Sequence, residues 1–317
     1  MKGVRGQKSG LSRAKSREIR SQENRRHRSL AVAARIVVAV LAAVAWYPAP
    51  AMAESRAECR AVSSKILDRP VRYCVLLPPS YDAEAARRYP VLYYLHGLGD
   101  NEQSMVNRGG WSLVEQLWEQ QQIGEFLIAT PDGGRSFYIN SRDGQERYED
   151  FLVQEFIPVI ERRYRIAGTP RLRAIGGTSM GGYGALRLAF KHPKLFASVA
   201  VHSAALIGEM PEDLAAGFGR SLRPFGEPFD PSFWNRNTPF ALLPSPATLN
   251  GLKIYFDCGQ QDDFGFDAGA QALHNLLQAK KIPHEFHLYP GRHDREYIAE
   301  HFDESLAFQS RVFQSQK

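Results

Sequence analysis

The sequence predicts an α/β protein with a mostly parallel central sheet flanked by helices. Three observations carry that reading. Short apolar runs alternate with amphipathic helical patterns, as parallel strands joined by crossover helices require. A Gly-x-Ser-x-Gly motif sits between one such run and the helical pattern after it. Two later runs end in short loops that supply carboxylates and a histidine, at the strand ends where open α/β sheets gather functional groups.

In chain order, residues 1–53 come first, with eleven Lys or Arg against two acids, a balance of +9. The apolar run Ile36 to Tyr47 follows, then Pro48-Ala49-Pro50-Ala51-Met52-Ala53, whose small residues suit a signal-peptide cleavage site. Twelve apolar residues fall short of the roughly 20 that span a bilayer. Admitting Arg35 lengthens the run back to Leu30, which leaves a retained anchor as the alternative. The expectation is a signal peptide over 1–53 and one catalytic domain over 54–317, exported to the periplasm or beyond. Of the net charge of +6 over 317 residues, everything after residue 53 contributes −3, so the basic balance gives no ground for a nucleic-acid partner. Hydrophobic residues at 44% and charged ones at 23% exclude a disordered ground state, and three cysteines exclude a disulfide framework.

Export would put Cys59 and Cys74 in an oxidising compartment. They flank a predicted hairpin whose turn is centred near Ile66 and Leu67, so they face each other across it, and a bridge between them is left open. Cys258 reads as a small buried filler in its strand. Further strands are expected at Tyr89 to Leu95, Phe126 to Thr130, Leu172 to Gly176, Ser198 to Val201, Lys253 to Cys258 and Glu285 to Tyr289. Tyr148, Phe151, Leu152, Phe156, Ile157, Ile160 and Tyr164 recur at spacings of three and four, the buried stripe of a helix. Similar patterns cover Ala268 to Ala279 and Asp294 to Phe313. The segment Leu206 to Asn250 holds seven of the nineteen prolines, so it is no long helix and reads as a cap or substrate-shaping insertion.

The chemistry centres on Gly177-Thr178-Ser179-Met180-Gly181. A serine hydroxyl is a poor nucleophile unless held exposed beside a base, and a sharp strand-to-helix turn does this. Such a turn crowds the backbone, which accounts for the glycines. In this architecture an acid and then a histidine should follow. Asp262 and Asp263 come just past the strand Lys253 to Cys258. His293 follows the next strand on Pro290-Gly291-Arg292, and is the expected base. His192, His202, His274 and His301 read as surface or capping residues, and His284 and His287 as part of a strand and its approach. The oxyanion donors are expected to be the backbone N–H groups of Met180 and Leu98, the latter in the loop His96-Gly97-Leu98-Gly99-Asp100.

With these residues in place, the chain resembles the esterase branch of the α/β-hydrolases, the group of esterase D (S-formylglutathione hydrolase), tributyrin esterases, feruloyl esterases and the antigen 85 mycolyltransferases. The resemblance runs over about residues 60–312. It rests on Leu77-Pro78-Pro79-Ser80-Tyr81, Tyr89-Pro90-Val91-Leu92-Tyr93-Tyr94-Leu95-His96-Gly97, Pro131-Asp132-Gly133 with Tyr138 and Asn140, Tyr148-Glu149-Asp150-Phe151, the serine block, and Phe256 to Asp263. It implies an α/β-hydrolase fold with the Pro-rich cap at about 206–250. The family's acid, three residues after the strand-ending glycine, falls on Asp262, and its Gly-x-His turn on Gly291-Arg292-His293. The implied activity is hydrolysis of carboxylic esters, short-chain acyl or feruloyl-type, without cofactor or metal, on small-molecule or glycan-linked esters, with the membrane touched only through the N-terminal segment. An acyltransferase of the mycolyltransferase type and a thioester hydrolase of the S-formylglutathione type are the alternatives. A non-catalytic binding protein would have lost a member of the Ser-Asp-His set, and none is missing here.

Overall fold

The computed structural model describes residues 54–249 and 251–316, so the expected signal peptide lies outside the described residues. β1 (Arg56–Ser64) and β2 (Arg69–Leu77) form the opening hairpin, and their register sets Cys59 opposite Cys74. A disulfide joins the two cysteines. β2 continues antiparallel onto β4 (Leu127–Pro131). From there the sheet is parallel through β3 (Val91–Leu95), β5 (Arg173–Thr178), β6 (Ser198–His202), β7 (Lys253–Gly259) and β8 (Glu285–Tyr289), in the order β1-β2-β4-β3-β5-β6-β7-β8. The structure starts β3 two residues after the expected Tyr89, which makes only an isolated bridge to Ile166.

The strand residues alternate between two cores, as a pleated strand must. Val91, Tyr93, Leu95, Leu127, Ala129 and Ile175 face one core, and Leu92, Ile128 and Ala174 the other. Helix α1 (Gly110–Glu119) covers the second face through Val114, Leu117 and Trp118. The three consecutive pieces Tyr148–Asp150, Phe151–Phe156 and Ile157–Arg163, together α2, cover the first. The middle piece is wound as a π-helix, with the Ile157 N–H donating to Leu152 O. Pro158 has no N–H to continue the ordinary ladder, and a wide turn just before it is where such a helix can shift register.

Helix α3 (Met180–Lys191) is buried on every side from Met180 to Phe190, which suits a central helix wedged between sheet and insertion. The insertion breaks into α4 (Glu212–Phe218), a 3-10 turn Gly219–Phe225, α5 (Pro231–Asn237) and a short turn Pro239–Leu242. Pro231 and Pro239 each occupy a first helical position, behind Asp230 and Thr238 as caps. Trp234 anchors the insertion: it is fully buried, stacks on Tyr183 of α3 at 5.4 Å, and meets Phe225 at 4.7 Å. Helix α6 (Phe266–Ala279) packs on β7, and α7 (Arg295–Gln314), capped by Asp294, runs back beneath β6 and β7.

Candidate active site

Ser179 occupies the turn between β5 and α3 with φ 56° and ψ −117°, a conformation that a non-glycine residue adopts only when its surroundings hold it. They do so through the backbone. The Ser179 N–H donates to His202 O at 3.1 Å, while Ser179 O accepts from Tyr183 N–H at 2.9 Å and Ala205 N–H at 3.1 Å. The flanking glycines are obligatory for space: a Cβ on Gly177 would lie 2.6 Å from Leu95 O, and one on Gly181 would lie 1.9 Å from it.

His293 leaves β8 on a loop tied to the end of β7. Gly291 N–H donates to Gln261 Oε1 and Gln261 N–H to Gly291 O, both at 2.9 Å, and Gln260 N–H donates to Tyr289 O at 2.8 Å. The imidazole lies between two partners. Its Nε2 is 3.0 Å from Ser179 Oγ, and its Nδ1 is 2.7 Å from Asp262 Oδ2. The Asp262 side chain is fully buried and also accepts the Phe264 N–H at 2.9 Å and the Cys258 thiol at 3.5 Å. Burial, with the Asp262 charge beside it, pushes the Cys258 thiol up, so it stays protonated and donates. Cys258 is therefore buried as expected from the sequence, but it is also a ligand of the carboxylate. Asp263 pairs instead with Arg292 and accepts the His293 backbone N–H at 3.3 Å.

The N–H groups of Met180 and Leu98 have no partner among the described residues. Leu98 and Ser179 line a common cavity of about 500 Å³, whose apolar wall includes Met105, Leu113, Ile298 and Phe302. The Leu98 loop is fixed from behind, where His96 Nε2 accepts the Gly133 N–H at 2.8 Å and Tyr138 Oη donates to His96 O at 3.0 Å. A more open cleft of about 590 Å³, lined by Arg135, Arg220 and Arg223 among others, contains none of these groups.

Two histidines depart from the expectation of surface or capping roles. His202 and His301 are buried. His202 Nδ1 lies 2.7 Å from Asp257 Oδ2 and its Nε2 lies 2.7 Å from Ser305 Oγ, while Tyr297 Oη donates to Asp257 Oδ1 at 2.7 Å. This sealed cluster links the strand end behind Ser179 to the first turn of α7, directly after the His293 loop. The signal available in the sequence was Asp257 itself, a carboxylate inside an apolar strand, which must find donors.

The profile of the Esterase family, described as "Putative esterase", matches residues 64–309. The chain belongs to the Esterase family. Among curated relatives, this Esterase-family chain is 28% identical over 249 residues to an esterase of Mycobacterium tuberculosis, covering 69% of this chain and 51% of that protein. It is 27% identical over 240 residues to an acetyl esterase of Caldicellulosiruptor saccharolyticus, covering 70% and 83%. The chain thus spans about half the length of the mycobacterial relative it matches. Among solved structures, a ferulic acid esterase superposes with a TM-score of 0.71 at 27% identity, covering 82% of this chain and 99% of that one. An S-formylglutathione hydrolase of Agrobacterium tumefaciens, at 17% identity and a TM-score of 0.66, covers 84% and 98% and shares the α/β-hydrolase fold.

Proposed function

We propose that this chain is an exported serine esterase that hydrolyses carboxylic esters through an acyl-enzyme on Ser179. The observation that carries this is the continuous line Ser179 Oγ, His293, Asp262, with separations of 3.0 and 2.7 Å on the two ring nitrogens. His293 Nε2 takes the hydroxyl proton as Ser179 attacks the ester carbonyl, then returns it to the leaving alcohol. Asp262 fixes the tautomer that makes Nε2 the base and stabilises the imidazolium. Water then attacks the acyl-enzyme with His293 again as base. The Met180 and Leu98 N–H groups take the negative charge that develops on the carbonyl oxygen, each worth roughly 2.7–4 kcal/mol in such a role.

The cavity beside Ser179 has room for a short acyl or a hydroxycinnamoyl group, and the likeness to an acetyl esterase and a ferulic acid esterase supports those two acyl classes. The basic and apolar segment before Ala53 and the Cys59–Cys74 bridge support export. Ser179→Ala should lower kcat on a short p-nitrophenyl ester by on the order of 10⁶. Turnover equal to wild type would refute the assignment of the nucleophile.

A further inference from the structure

Among the described residues, Phe264 is the one large apolar side chain left exposed, at 41%. Its position is two residues past Asp262, and its backbone N–H, not its ring, is what Asp262 uses. The ring lies near-parallel to Phe218 of α4, with centroids 5.7 Å apart, and to Phe266 at 5.4 Å. It meets the His293 imidazole at right angles, 4.9 Å between centroids. Phe264 is therefore the shared member of three aromatic rings, paired with both the buried Phe266 and the half-buried Phe218 of the insertion, and it alone of the three is exposed, beside the base.

Neither Phe264 nor Phe218 lines the cavity that Leu98, Ser179 and His293 share, so the aromatic group is a second surface beside the same imidazole. That division gives the two halves of an ester different surroundings. With the carbonyl oxygen on the Leu98 and Met180 amides, the two substituents of the carbonyl carbon leave in different directions, and the acyl half is assigned to the cavity that Leu98 borders. The leaving oxygen must reach His293 Nε2 to receive its proton, which brings the alcohol half against the imidazole and its aromatic neighbours.

Resting on the esterase reading above, we propose that Phe264, backed by Phe218, forms the leaving-alcohol subsite and selects alcohols that carry a ring. A ring brought against the exposed part of Phe264 gains an aromatic contact beyond simple burial, which a short alkyl chain does not. Aryl alcohols and sugars share this chemistry, and the substrates below separate them.

The test is kcat/KM on ethyl acetate, phenyl acetate and an acetylated pyranoside, for wild type, Phe264→Ala, Phe218→Ala and Phe264→Trp. Phe264→Ala should reduce the preference for a ring ester over the ethyl ester by about tenfold, the upper range for one stacked pair. Phe218→Ala should shift it the same way by less, and Phe264→Trp should retain it. Loss for the phenyl ester alone identifies an aryl alcohol, and loss for the pyranoside alone a sugar; both support the subsite. An equal loss on all three esters would make Phe264 a prop for His293 and overturn the proposal, as would an unchanged preference. Absence of Ser179-dependent hydrolysis of every ester would instead overturn the esterase reading, and the subsite with it.

Discussion

Asp262 and Asp263 are adjacent in sequence, and only their surroundings separate them. Asp262 is buried and accepts the backbone N–H groups of Phe264 and Phe266, with its other carboxylate oxygen on His293 Nδ1; Asp263 is exposed and holds the backbone of the His293 loop together with Arg292. Asp262→Asn should present the wrong tautomer of His293 to Ser179 and cost about 10⁴ in kcat, the size seen when a triad carboxylate becomes an amide. Asp263→Asn removes a surface pair worth about 0–1 kcal/mol and should leave kcat within a few-fold of wild type. Steady-state kinetics of the two variants on one p-nitrophenyl ester decides between them, and a larger loss for Asp263→Asn would reverse the assignment. From residue chemistry alone both carboxylates qualified, because both follow a strand end; the family pattern separated them. His202 was not legible. Whether a histidine closing a strand is buried depends on what the neighbouring strand sets beside it, here Asp257 in register with it, and that pairing is a tertiary fact.

At the level of elements, the helices that could be read were those with a long apolar stripe, and α2 is the clearest case. The stripe did not show what ties α2 to α3. Glu149, buried on α2, receives Arg187 Nη1 at 2.5 Å, with Lys191 Nζ at 2.8 Å and His192 Nε2 at 2.9 Å. Burial alone would raise the Glu149 pKa, but His192, Arg187 and Lys191 outweigh it and hold the carboxyl well below its ordinary value. A depressed carboxylate stabilises the fold above its unfolded pKa, and that contribution is lost as pH falls toward the folded value. Glu149→Gln leaves Arg187 buried without its counter-charge and should cost about 3–5 kcal/mol at neutral pH. Denaturant melts should show the gap between variant and wild type narrowing below about pH 4, where the unfolded chain binds the proton first. A gap that stays constant down to pH 3 would remove the charge from the account. Helix α1 escaped the sequence reading for a local reason: it opens on Gly109-Gly110 and buries only three side chains, too short a stripe to set a period.

Across the whole molecule, the sheet order leaves β1 on one edge and β8 on the other, and the two edges are finished differently. β8 carries the His293 loop and is flanked by α7. β1 touches the rest of the sheet only through β2, and of its nine residues only Val62 and Ser64 are buried, so this edge strand has little apolar burial of its own. The Cys59–Cys74 bridge compensates by closing a sequence separation of 15 residues. In the chain-entropy account a loop of that size is worth about 3 kcal/mol, because the unfolded chain loses the freedom to separate its ends. Cys59→Ser should therefore lower the unfolding free energy from denaturant melts by that amount under oxidising conditions, and by nothing against the equally reduced wild type once reductant is present. Thiol titration gives the complementary measurement. The unfolded, unreduced protein should show one reactive thiol, Cys258, and three after reduction. Three thiols before reduction in protein recovered from outside the cytoplasm would remove the bridge, and with it the structural support for export.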